Sequence, residues 1–436
     1  MSIFIKNATI ITQNKNRDII KNGAIFIKND KIEDVGNADA IQKKYANEIK
    51  QIINANGGIA MPGLINCHTH LAMALLRGYA DDMPLERWWF DAIYPIESKF
   101  TREKVYLGSL LGALEMIKSG TTTFADFYYF MDEAGKAAEK TGLRANLGVA
   151  VLDCETFAFK NSAEILADIP RLFKKWKGSS LVKISIAPHM LQTASLETHK
   201  KCKSLAKKLG LILHTHLAES KEGIKHSRKN YKTTPAELLV KNNILDKNSL
   251  AAHCCHLSGS DINLLAKAKV NIVHCPASNM KLASGVMPFS KLVKAGINIC
   301  LGTDGACSNN SLDMFSEMKI AALLHKSTEK NPIAADAQTI FDMATINGAR
   351  ALGMEKEIGS IETGKKADII ILDCNQPHLS PEHNLVSNLV YAGKGSDVKT
   401  TIINGKAIMK NRKILTINEN KILNAVKQEC ADGIFK

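Results

Sequence analysis

Long hydrophobic runs are missing from this chain: no apolar segment comes near the roughly 18 residues that a membrane-spanning helix needs. A membrane location is therefore not expected. Proline is sparse, at 11 residues in 436, aromatic residues make up 6%, and no low-complexity tract or fixed-period repeat is present. With 45% hydrophobic and 23% charged residues, the composition excludes fibrous and disordered classes and fits a globular enzyme. The opening Met1-Ser2-Ile3-Phe4-Ile5-Lys6 lacks the basic, apolar and small-residue regions of a signal peptide. We expect a cytoplasmic protein.

That expectation also governs the cysteines, because a chain without an export signal keeps its thiols reduced. Cys67, Cys154, Cys254, Cys255, Cys275 and Cys300 sit in apolar segments and are expected to be free and buried. Cys254 and Cys255 adjoin His253, but neighbouring side chains on a strand point to opposite faces, which argues against a shared metal. The formal charge of +14 raises the question of nucleic acid. The lysines are scattered, with no basic stripe interleaved with aromatics, so a nucleic-acid partner is not expected.

The length suffices for one large catalytic domain and a smaller unit. Residues 3–12 and 24–28 are short, β-branched and separated by Asn, Asp and Gly turns, and the same texture returns over 367–373 and 400–408. Both chain ends are thus expected to build one β-sandwich domain, from 1–59 and 361–436, around a catalytic 60–360. Within that central part, apolar strands at 63–68, 121–126, 144–151, 182–188, 211–216, 249–253, 270–274 and 297–302 alternate with helical stretches such as 102–118 and 196–209. Eight such repeats favour an α/β fold of the (β/α)8 TIM-barrel type over a doubly wound sheet.

Several of these strands end in chemistry. Met61-Pro62-Gly63-Leu64-Ile65-Asn66-Cys67-His68-Thr69-His70 places two histidines at i and i+2, on one face of an extended strand. Later come Pro188-His189, His214-Thr215-His216-Leu217-Ala218-Glu219, Ala252-His253 and Thr303-Asp304. His68, His70, His216 and Asp304 form the expected ligand set, since three imidazoles and a carboxylate can close a metal shell around one open position and suit zinc. His214 could also point inward; His216 is preferred because Glu219 follows it by three residues. Glu219 is the expected general acid/base, and His253 and Asp304 are expected to orient the attacking water.

These segments, with Leu75-Leu76-Arg77-Gly78-Tyr79-Ala80-Asp81-Asp82-Met83-Pro84-Leu85, Ser119-Gly120-Thr121-Thr122-Thr123, His274-Cys275-Pro276-Ala277-Ser278-Asn279-Met280-Lys281-Leu282-Ala283-Ser284-Gly285 and Gly302-Thr303-Asp304-Gly305-Ala306, resemble the amidohydrolase superfamily. Within it, the similarity is to the 5′-methylthioadenosine/S-adenosylhomocysteine deaminases, over nearly the whole chain. The resemblance implies a barrel with a β-sandwich, one zinc per subunit (iron or manganese as alternatives), and hydrolytic release of ammonia from an adenine nucleoside in purine salvage. It implies substrate contacts from Glu97, His189, Trp88, Glu219 and Asp304, and a dimer or tetramer. One departure stands out: many members carry an arginine for the substrate tail where this chain has apolar Gly148-Val149-Ala150-Val151, which tilts the expectation towards methylthioadenosine. Arg144 is expected to brace the barrel. Rival readings are another nucleoside, a free base or a triazine as substrate; a non-catalytic scaffold is disfavoured by Glu219 and His253.

Overall fold

Isoleucine-rich strands from both chain ends pair in one sheet of the computed structural model, which describes residues 2–432. The sheet has nine strands, and its two sequence halves meet where Ile59–Pro62 runs antiparallel to Ile369–Leu372, with Met61 opposite Ile370. The strand period of two sorts the side chains. Ile3 and Ile5 join Ile25, Ile27, Ile369 and Ile402 in one buried cluster, while Phe4 turns to the other face with Phe26, Ile41 and Tyr45. The run 400–408 is a hairpin, Val398–Ile403 and Lys406–Lys410, because Asn404 and Gly405 both take left-handed backbone conformations (φ 51° and 72°). After residue 361 the chain also supplies the helices Leu385–Tyr391 and Glu419–Asp432; Ile422 of the latter packs on Leu110 of the helix Arg102–Lys118.

The central part forms eight parallel strands in chain order: β1 (Leu64–Thr69), β2 (Thr121–Tyr128), β3 (Arg144–Val151), β4 (Val182–Pro188), β5 (Leu213–Leu217), β6 (Ser249–His253), β7 (Asn271–His274) and β8 (Ile299–Leu301). Each pairs with the next, and β8 returns to β1, where the Asp304 N–H donates to the His68 carbonyl at 2.9 Å. This is a nearly closed barrel. Its strands are almost wholly buried because helices cover them outside, which is why they read as apolar runs rather than alternations. The helix Leu196–Leu209 shows how sequence sets the ends: Ser195 caps the Thr198 N–H, and Gly210 closes it at φ 68°.

Two features position the site. A Cβ at Gly302 would lie 2.8 Å from the His68 backbone nitrogen, so only glycine lets the chain after β8 pass so close to β1. Ala218, His253 and Asp304 all hold left-handed backbone angles (φ 51°, 72° and 61°), which non-glycine residues adopt at a cost. That strain gathers at the carboxyl ends of β5, β6 and β8.

Arg144 ties the barrel to the segment that enters the end sheet: buried at the start of β3, it donates from Nε and Nη2 to both oxygens of Asp368 at 2.8 and 3.0 Å. All ten cysteines are free; Cys67, Cys254, Cys255, Cys275 and Cys300 are buried as expected, whereas Cys154 is exposed on the loop after β3. No helix among the described residues is long and apolar enough to cross a membrane.

Candidate metal and catalytic site

At the carboxyl end of β1, the i, i+2 spacing turns His68 and His70 to the same side, where Asp304 meets them from beyond β8. Asp304 Oδ1 lies 3.5 Å from His68 Nε2 and 3.1 Å from His70 Nε2. One nitrogen from each of His68, His70 and His216 falls within 4.8 Å of the others, as do single atoms of His68, His253 and Asp304. Thus β1, β5, β6 and the turn after β8 converge on one point, the usual place for a barrel site.

Hydrogen bonds outside this point decide which atoms face it. His70 Nδ1 bonds the Phe127 carbonyl at 2.5 Å, and His216 Nδ1 bonds the His189 carbonyl at 3.0 Å. A carbonyl only accepts, so both rings carry a proton on Nδ1 and turn Nε2 inward. His68 Nδ1 meets His214 Nε2 at 2.9 Å, leaving His68 Nε2 buried without a hydrogen-bond partner. Ser278 and Ser308 both donate to Asp304 Oδ2, at 2.6 and 2.9 Å, which leaves Oδ1 for the histidines.

The charges follow from burial and from Asp304. Burial lowers His68 to about 4 and His216 well below its ordinary value, so both imidazoles are neutral at pH 7. Burial opposes charge on Asp304, but the adjacent His68 and His70 rings hold its carboxyl well below the usual range. Burial likewise opposes a proton on His70, yet Asp304 raises it to about 9; a divalent cation would take the place of that proton. Three imidazole nitrogens, one orphaned and buried, with a deprotonated carboxylate between them, are a donor set that fits such a cation.

Glu219 and His253 flank this set, with Glu219 Oε2 3.8 Å from His253 Nε2. Burial raises the Glu219 pKa, partly offset by His253, and Ser284 Oγ approaches its other oxygen at 3.5 Å. Asn279 Nδ2 sits 2.9 Å from His253 Nδ1 and fixes that ring, while His253 Nε2 is buried and unpartnered.

His70, His216, Glu219, His253 and Asp304 open on a cavity of about 390 Å³ that Trp88, Glu97, Tyr128 and His189 also line. Glu97 is buried beside Tyr128, whose hydroxyl donates to Oε1 at 2.7 Å, and burial pushes the carboxyl up to about 7. His189 is fixed through Nδ1 on Thr193 Oγ1 at 2.7 Å and stacks on Trp89, with ring centroids 6.0 Å apart. Trp88, in a wide helical turn spanning Trp88–Ile93, presents a buried Nε1–H with no partner.

The amidohydrolase family model matches residues 59–408, which takes in the barrel and the whole site. The chain belongs to the amidohydrolase family. This amidohydrolase is 43% identical to a 5-methylthioadenosine/S-adenosylhomocysteine deaminase of Thermoanaerobacter pseudethanolicus over 436 residues, with all of both chains covered. It is also 43% identical to a 5′-deoxyadenosine deaminase of Methanosarcina acetivorans, covering 97% of this chain and 96% of that one. Among solved structures, an adenosine deaminase from Xanthomonas campestris with bound zinc superimposes with a TM-score of 0.95 at 32% identity, covering 98% and 97% of the two chains. An atrazine chlorohydrolase of Arthrobacter aurescens, at 23% identity and a TM-score of 0.89, shares the fold.

Of the candidate site residues named from the sequence of this amidohydrolase, His70, Trp88, Glu97, His189, His216, Glu219, His253 and Asp304 line this cavity and His68 lies beside it. The polar residues around it went unnoticed. Ser278 and Asn279 lie within the segment 274–285, which gives them no role of their own, Ser308 and Tyr128 carry no signal in the sequence, and the sequence leaves His214 open as an alternative ligand.

Proposed function

We propose that this amidohydrolase hydrolytically deaminates the adenine ring of a 5′-substituted adenosine, with His68, His70, His216 and Asp304 holding one zinc ion. The observation that carries the reading is the convergence of those four groups with Glu219 and His253 on the cavity that Glu97 also lines. Three imidazoles with one carboxylate suit zinc, with iron or manganese as alternatives. Zinc, when bound there, supplies the Lewis acidity that makes water a nucleophile at neutral pH.

The protein's own groups do the rest. Glu219 takes a proton from the attacking water and delivers it to N1 of the ring as oxygen bonds to C6. The His253 Nε2 edge and Asp304 hold the incoming oxygen, and Ser278 and Ser308 keep the Asp304 carboxylate from rotating away. Collapse of the tetrahedral carbon breaks the C6–N bond as the remaining proton of the added hydroxyl passes to the leaving amine, so water and nucleoside give the inosine-type product and ammonia. Glu97 accepts from the sugar hydroxyls, and Trp88 lines the wall beside the substrate.

The cavity lining also bears on the 5′ group. It includes the carboxylates of Glu97, Glu219, Glu222 and Asp304 and neither lysine nor arginine. An uncharged tail, as in methylthioadenosine, is favoured over one ending in a carboxylate, and purine salvage is the setting this implies. The test is ammonia release from methylthioadenosine by zinc-loaded protein, with inosine-type product identified by mass. Absence of ammonia with zinc bound would reject the reading.

A further inference from the structure

Behind Asp304 lies a buried carboxyl that the reaction does not use. Glu317 sits in the first turn of the helix Met314–Thr328, is 1% exposed, and does not line the catalytic cavity. Among the described residues no cation pairs with it, and burial pushes the carboxyl up to about 8. A buried carboxyl without a cation is destabilising in itself, and such groups gather where a function requires them.

Its partners point to that function. Oε1 accepts from Asn309 Nδ2 at 2.5 Å, and Oε2 accepts from the Ala277 N–H at 3.4 Å. Ala277 is the chain neighbour of Ser278, and Asn309 that of Ser308, the two serines whose hydroxyls hold Asp304 Oδ2 at 2.6 and 2.9 Å. These serines belong to separate short helices, Pro276–Lys281 after β7 and Ala306–Asn309 after β8, and Glu317 touches both. Asn309 Nδ2 also donates to the Thr303 carbonyl at 2.7 Å, one residue before Asp304.

The residue type follows from the donors it meets. An amide N–H and a backbone N–H converge on it, so the group between them must accept at both ends. A carboxyl can; a glutamine of the same shape would turn its NH2 towards one of them and leave a buried donor without a partner. Asp304 needs such support because its backbone is held in the left-handed region, at φ 61°. The helix itself does not depend on Glu317, since His325 further along it docks on His274 of β7 with the two Nε2 atoms 2.9 Å apart.

We propose that Glu317 is a positioning residue for Asp304: by bracing Ala277 and Asn309 it aims the Ser278 and Ser308 hydroxyls at Oδ2 and keeps Oδ1 turned to the metal position. The inference rests on the proposed reading of Asp304 as a zinc ligand. Glu317 itself meets neither substrate nor the reacting atoms.

The experiment is Glu317→Gln in the full-length protein, read by zinc affinity in chelator competition, by the visible absorption of the cobalt-substituted protein, and by kcat and KM for methylthioadenosine at saturating zinc. Zinc affinity and kcat are each expected to fall about tenfold or more, with the cobalt bands shifted. KM should change by less than about twofold, because no substrate contact is removed. Ser278→Ala with Ser308→Ala should give comparable losses, and adding Glu317→Gln to that pair should change little further, since the route is already cut. Asn309→Ala removes one arm and should give a smaller fall in the same direction, which reports on the route even if Glu317→Gln fails to fold. The control Glu133→Gln, on the outer helix Met131–Thr141, should change none of these readouts. Unchanged zinc affinity and cobalt bands in Glu317→Gln, or its full loss added on top of the serine pair, would overturn the inference. A wild-type protein that binds no zinc and releases no ammonia would instead overturn the reading of the site on which it rests.

Discussion

His214 Nε2 lies 2.9 Å from His68 Nδ1, and both rings are buried. If His214 accepts, His68 carries its proton on Nδ1 and its Nε2 lone pair faces Asp304 and the metal position. His214 is then a positioning residue for a ligand rather than a ligand. His214→Ala should lower zinc affinity by about 10- to 100-fold, read by chelator competition, with folding retained. Unchanged affinity would show that His68 orients without it.

In the proposed reaction Glu219 has a different task, because its carboxyl handles protons beside the site instead of closing the ligand set. Glu219→Gln keeps the shape and removes that capacity. Zinc content should stay at one per chain while kcat falls by about 10²- to 10⁴-fold. Loss of zinc together with activity would make Glu219 a ligand instead.

The Tyr128 hydroxyl is the hydrogen-bond donor that favours the charged form of Glu97, against burial, which pushes the carboxyl up to about 7. A protonated carboxyl accepts sugar hydroxyls less well, so KM should rise as pH falls through about 7 while kcat changes less. In Tyr128→Phe that bond is gone, Glu97 holds its proton to higher pH, and the KM limb should move upward in pH. A 2′,3′-dideoxy substrate should be indifferent to the substitution. An unmoved limb would remove Glu97 from sugar recognition.

The Arg144–Asp368 pair joins barrel and end sheet from fully buried positions. Arg144→Ala leaves the Asp368 charge uncompensated in the interior and should cost about 3–5 kcal/mol in denaturant unfolding. Arg144→Met with Asp368→Leu should recover most of that loss. Equal destabilisation by the single and double variants would contradict this account of the pair.

The barrel was legible in the sequence because its strands are buried on both faces and read as apolar runs, and helices such as Leu196–Leu209 carry their own caps. The clustering of His68, His70, His216 and Asp304 was legible because metal-binding side chains at strand ends have few other uses. Less could be read where meaning depends on distant partners. Ser278 and Ser308 look like ordinary turn residues until the fold brings both onto Asp304 Oδ2, and Tyr128 is one more apolar strand residue until it meets Glu97 across 31 positions. The choice between His214 and His216 turned on β5 side-chain direction: His214 bonds His68, and His216 anchors to the His189 carbonyl.

The most direct measurement compares kcat/KM for methylthioadenosine, 5′-deoxyadenosine, adenosine, S-adenosylhomocysteine, free adenine and guanine on the zinc-loaded protein, followed by loss of the adenine or guanine absorbance. The account predicts fast turnover of the nucleosides with uncharged 5′ groups, weaker S-adenosylhomocysteine, and free bases far behind. Free bases turned over as well as nucleosides, or silence on every nucleoside with zinc in place, would contradict it.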